Sequence, residues 1–141
     1  MVLESVLIAL DDSEISDRVI ETVQRLALPS DGKVTLCHVF PTPNSEMEFP
    51  PDRPHLDCET ISYLQVEKKL QSYQAELAVD SNMELVIGDP AEEIIRLANI
   101  YKADLIVIGS RGLTGITRIV QGSVSCQVVE EANCSVLVVK P

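Results

Sequence analysis

The stretch Gly109-Ser110-Arg111-Gly112-Leu113-Thr114-Gly115, followed by Gly122-Ser123-Val124-Ser125, holds four of the six glycines in the chain. It comes directly after the apolar run Leu105-Ile106-Val107-Ile108, which reads as a buried strand. It leads into Ile119, Val120, Val124, Val128 and Val129, whose spacing is helical. A strand, a glycine-rich turn and a helix start together suit an anion. Glycine lets the backbone approach a ligand, and unpaired N–H groups at the turn and helix start attract negative charge. The bland alternative is a turn without a ligand. No Gly-Lys-Ser/Thr follows, so this is not a Walker A loop, and the Gly-x-Gly-x-x-Gly of a dinucleotide site is missing.

Other residue types with chemistry are few. Ala9-Leu10-Asp11-Asp12-Ser13 follows the first apolar run, so its two acids fall at a strand end. Asp11 either meets a ligand or caps the next helix with Ser13. Arg111 either reaches phosphate or is solvated; Arg118 lies near a helix start, where a cation opposes the dipole. His38 is expected in or beside the sheet, and His55 in a loop. Cys37, Cys58, Cys126 and Cys134 form no C-x-x-C pair and suit no zinc module, so they read as reduced structural thiols. Cys58 alone, beside a Pro-rich stretch, is a candidate for reactivity. No catalytic and no metal-ligating set is expected.

The elements that must position these residues alternate. Strands are expected at Ser5 to Leu10, Lys33 to Phe40, Met83 to Ile87, Leu105 to Ile108 and Ser135 to Val139. Helices are expected from about Ser13 to Leu28, Thr60 to Val79, Pro90 to Tyr101 and Thr117 to Glu131. Asp89-Pro90-Ala91-Glu92 is a helix-start signature: a capping Asp, Pro in the first turn, and Glu three residues after the cap. Five of the eight prolines sit in residues 41–59, which reads as an exposed loop insertion. Val/Ile/Leu-rich strands alternating with helices indicate a doubly wound parallel sheet covered on both faces, a three-layer α/β domain spanning residues 1–141. In such sheets ligands sit beyond the carboxyl ends of the strands, where the strand order reverses.

With 141 residues, 45% of them hydrophobic, the chain can bury a core. The net charge of −11 opposes non-specific binding to nucleic acid or anionic membranes. It does not oppose a small anion held by oriented amides. No apolar run approaches the ~20 residues of a membrane span. The opening residues Met1-Val2-Leu3-Glu4-Ser5 lack a basic region, so a cytoplasmic location is expected.

Gly109-x-x-Gly112, nine residues, then Gly122-Ser123 resembles the ATP-binding signature of the universal stress protein family. The resemblance extends over nearly the whole chain, through Val6 to Glu14, Leu36-Cys37-His38-Val39, Val86 to Pro90 and Ser135 to Val139. It implies a five-stranded sheet of order 3-2-1-4-5. It places Ala9 and Val39 around adenine, Val39 through its backbone, and Asp11 on the ribose and adenine side. Gly109 and Gly112 would pass close to ribose and phosphate. Gly122, Ser123 and Val124 would offer amides to the phosphates, and Ser123 a hydroxyl, with Arg111 in reach; Leu10, Ile108 and Ser125 count among the nucleotide-binding residues as well. Asp12 departs from the family pattern, which often has Gly there; it either starts the helix or alters the crevice charge.

The resemblance implies a small ATP-binding regulatory protein of the stress response. Its ligand would be ATP, or else AMP, ADP or cyclic AMP, with Mg2+ carried on the phosphates. A homodimer through the last strand, residues 136–139, is expected from the family. A slow ATPase or phosphotransferase is the competing reading, but no general base or lysine stands out, so fast hydrolysis is not expected. A phospho-receiver domain would also have paired acids after its first strand. That match fails at Asp89, which is better explained as a helix cap.

Overall fold

The computed structural model describes residues 3–10, 15–26, 28–29, 31–40, 55–77, 79–110 and 124–140. Five strands form: β1 (Ser5–Ala9), β2 (Lys33–Phe40), β3 (Ser81–Ile87), β4 (Leu105–Gly109) and β5 (Ser135–Val139). Among the described residues the helices are α1 (Ile15–Arg25), α2 (His55–Glu76), α3 (Pro90–Ile100) and α4 (Val124–Glu131). All paired strands run parallel, in the order β3-β2-β1-β4-β5. This is the fold class and strand order anticipated from the sequence.

Each central strand is apolar on both sides because both faces of the sheet are covered. Every residue of β1 is buried. Val6 and Ile8 point into one core with Val19, Ile20 and Val23 of α1 and Val66, Leu70 and Tyr73 of α2. Leu7 and Ala9 point into the other, with Ala91, Ile94, Leu97 and Ala98 of α3 and Val128 of α4. Thus α1 and α2 share one face, and α3 and α4 the other. Tyr73 Oη donates to Asp17 at 2.6 Å, tying α2 to α1 across their polar seam.

The amino end of the sheet is closed by one carboxylate. Asp104 accepts from the backbone N–H of Glu4 at 2.9 Å and of Ser5 at 3.1 Å. Ser5 Oγ donates to the Tyr101 carbonyl at 3.1 Å. These bonds hold the α3–β4 turn on the start of β1.

The sequence signals place α3 well. Asp89 caps it, its side chain accepting from Glu92 N–H at 3.1 Å, and Pro90 stands in the first turn. Its carboxyl end closes on Lys102, which takes φ 51°, a left-handed conformation usually left to glycine. Elsewhere the boundaries shift. Helix α2 begins at His55, not near Thr60, so residues 55–59 are helix rather than loop. The prolines stop at Pro54, and the Pro-free sequence beyond is free to wind. Strand β3 begins two residues earlier than expected, because Ser81 and Asn82 pair with Val34 and Thr35. Helix α1 ends at Arg25, three residues short of Leu28, ahead of Pro29. Residues 41–54, and the stretch of the expected fourth helix before Val124, lie outside the described residues.

Candidate functional site

From β1 the chain moves to β2 and β3; from β3 it crosses back to β4 and then β5. The order therefore reverses between β1 and β4, and their carboxyl ends splay α1 from α3 and α4. A cleft opens there, with an empty volume, open solvent included, of about 630 Å³. It is lined by Ala9 and Leu10 at the end of β1, Cys37 and Val39 of β2, and Ile108 and Gly109 of β4. Helices supply Ile15, Ser16 and Val19 from α1, Pro90 and Ile94 from α3, and Val124 and Ser125 from α4.

Seven of the residues singled out in the sequence thus meet in one cleft: Ala9, Leu10, Val39, Ile108, Gly109, Val124 and Ser125. Asp11, Arg111, Gly112, Gly122 and Ser123 lie outside the described residues. Sequence reasoning missed Ile15, Ser16, Val19, Cys37, Pro90 and Ile94 as lining residues. Two signals were available. Cys37 stands two residues before Val39 and so shares its face of the strand. Ser16 is a hydroxyl on the buried face of an amphipathic helix, fully inaccessible beside Ile15 and Val19.

The described lining carries no formally charged side chain. Its character is apolar: the hydroxyls of Ser16 and Ser125 are buried, which leaves the strand-end backbone as the polar component of the described lining. That combination suits a flat, apolar ligand with a few hydrogen-bonding atoms. The only lining residue with a resolved pKa shift among those described is Cys37, whose thiol is pushed up to about 12 by burial and, secondarily, by the Glu84 charge. It is a protonated, inert wall of the cleft at neutral pH.

The strand-end backbone is directed by the ladder. In a parallel strand successive residues turn their N–H and C=O to alternate neighbours. Leu10 N–H donates to the Cys37 carbonyl at 2.9 Å, and Gly88 N–H to the Phe40 carbonyl at 2.9 Å. Cys37 therefore faces β1 and Phe40 faces β3. Val39, in phase with Cys37, turns its donor and acceptor toward the β1 side, beyond Ala9 and Cys37, the last β1–β2 pair among the described residues. Val39 also lines the cleft, so its donor and acceptor lie along that side of the strand.

Gly109 is required by close approach. A Cβ there would stand 2.7 Å from Ile15 Cγ1 and 3.1 Å from its Cγ2. Only a glycine lets α1 lie against the end of β4 and close this side of the cleft. Two other sequence candidates fall elsewhere: His38 is buried on the α1/α2 face, and His55 begins α2.

A doubly wound parallel sheet with an apolar cleft at its switch point defines an α/β domain whose candidate ligand site lies beyond the carboxyl ends of the strands. The universal stress protein family profile matches residues 3–140, and the chain belongs to that family. Universal stress protein MJ0531 of Methanocaldococcus jannaschii is 47% identical over 73 residues, covering 52% of this chain and 43% of that protein. Among solved structures, MJ0577 of the same organism superposes with a TM-score of 0.82 at 26% identity, covering 100% of this chain and 98% of that one. A universal stress protein solved in complex with cAMP superposes with a TM-score of 0.72 at 25% identity, covering 99% and 98%.

Proposed function

We propose that this protein binds an adenine nucleotide in the cleft between β1 and β4, with ATP as the physiological ligand, and acts as a regulator in the stress response rather than as a fast enzyme. The observation that carries this reading is the cleft itself: described walls that are apolar and uncharged, with the Val39 strand edge among them, at the switch point of the fold. Adenine presents a donor beside an acceptor on one flat edge, the complement of what Val39 offers. The bound cAMP of the structural relative supports an adenine ligand in this fold.

In this reading the base lies between the walls of Ala9, Val39 and Ile108. The family resemblance assigns the phosphates to Arg111, Gly112, Gly122 and Ser123, together with Val124 and Ser125 at the amino end of α4, and Asp11 to the ribose side. The phosphates bring Mg2+ with them, since no described lining residue is an acid. The chain works as one domain over residues 1–141, in the cytoplasm, and dimerises through residues 136–139 of β5.

Denaturing the purified protein and identifying the released nucleotide by chromatography and mass spectrometry tests this directly. ATP near one per chain, abolished by Gly122→Val, is the expected result. Cyclic AMP in its place, or tighter calorimetric binding of cyclic AMP than of ATP with Mg2+, would make the protein a cyclic-nucleotide sensor. No nucleotide released and none bound would overturn the reading.

A further inference from the structure

Leu10 stands at the exit of β1 and lines the cleft. It is held to β2 at both of its peptide groups. Its N–H donates to the Cys37 carbonyl at 2.9 Å. Its carbonyl lies 3.0 Å from Nδ1 of His38. A carbonyl only accepts, so Nδ1 carries a proton at this contact. His38 is 8% exposed, which shields the bond from competing water. The imidazole orientation is set by packing. Its ring meets Phe40 edge-on, with centroids 4.6 Å apart at 71°, and Phe40 stacks on Tyr63 of α2 at 5.7 Å.

We propose that His38 is a positioning residue of the cleft: by donating Nδ1–H to the Leu10 carbonyl it holds the end of β1 at the spacing from β2 that leaves the Val39 backbone facing the ligand. Among the described residues the ladder between β1 and β2 runs as far as Ala9 and Cys37. One residue further on, the side-chain bond from His38 continues the register on the opposite peptide group of Leu10. His38 is not among the described residues lining the cleft, so it acts through Leu10 and Val39 rather than on the ligand. The effect on binding rests on the adenine-nucleotide reading above; the effect on the strand does not.

The test compares the wild type with His38→Leu and His38→Asn. Leucine fills space without a donor. Asparagine places its amide N–H close to where Nδ1–H stands, without an imidazole. Amide hydrogen exchange at Leu10, followed by NMR, is expected to be about ten-fold faster in H38L, the scale of one hydrogen bond. It should return toward wild type in H38N, with β5 amides unchanged throughout. Affinity for ATP with Mg2+ should fall about ten-fold in H38L and recover in H38N. Unchanged Leu10 exchange in H38L would overturn the proposal. So would H38N behaving like H38L, or exchange rising equally across the whole sheet. A wild type that binds no nucleotide defeats the functional reading alone, and Leu10 exchange still decides the role of His38. Should H38L fail to fold, the nitrogen spectrum of the wild-type imidazole decides: a ring without a proton on Nδ1 overturns the assignment.

Discussion

Single residues set the limits of the cleft. Gly109 is one. Its missing Cβ is occupied in effect by Ile15 and by Val19, whose Cγ2 would lie 3.3 Å away. Gly109→Ala therefore displaces the core face of α1 and costs about 1–3 kcal/mol. Urea unfolding should show a lower midpoint, and nucleotide binding should weaken with it. Cys37 makes a different prediction. Its thiol ionises at 9.0 in the unfolded chain and at about 12 in the fold. Below pH 9 both states hold the proton and nothing changes. Above it the unfolded chain sheds a proton that the folded one keeps, so stability falls by about 1.4 kcal/mol per pH unit until the folded thiol also ionises. Tyr101, raised chiefly by its hydrogen bond to Glu84, adds a loss in the same direction. Stability measured by urea at several values from about pH 8 to 11 should decline, and Cys37→Ala should decline less steeply. An equal slope in both proteins would remove Cys37 as the cause.

At the scale of elements, α3 is placed by its ends. Asp89→Ala removes the side chain that accepts from Glu92 N–H and should cost about 1 kcal/mol in thermal or urea unfolding. Lys102 is the opposite case, a side chain in a left-handed conformation at the carboxyl end. Lys102→Gly should stabilise the protein by about 1 kcal/mol, because glycine enters that region without the Cβ clash. A lower melting temperature in this variant would count against that account. The two ends also differ in legibility. Asp89-Pro90-Ala91-Glu92 announces a helix start in sequence, since a cap is made by neighbours three residues apart. Lys102 carries no such signal, because its conformation is dictated by the Asp104 turn that follows and by where β4 must enter the sheet. The start of α2 was misplaced for a related reason: a Pro-rich average over residues 41–59 hid the Pro-free stretch from His55 onward.

Across the whole molecule, the sheet has two edge strands, β3 and β5. Ser110 N–H donates to the Val139 carbonyl at 2.8 Å, so Val139 faces β4. By alternation Leu137 does too, and the peptide groups of Val136 and Val138 face outward. Under the proposed dimer these are the pairing groups. Val138→Pro removes an outward N–H while leaving the β4 ladder intact, so light scattering should report a folded monomer in place of a wild-type dimer. A wild type that is already monomeric would remove the dimer from the reading. The sequence by itself determined the alternation of strands and helices, the cap of α3, and the strand ends at which the cleft opens. Those properties are local: hydrophobic period, glycine placement and capping are all read within a few residues. The strand order came through the family resemblance, not through periodicity. Only the tertiary structure decided that Ser16, Cys37, Pro90 and Ile94 share a wall with Ala9 and Gly109. It alone joined His38 to Leu10 across 28 positions and Asp104 to Glu4 across 100. Such contacts depend on strand register and helix placement, which are settled by packing the two cores together rather than by any short stretch of sequence.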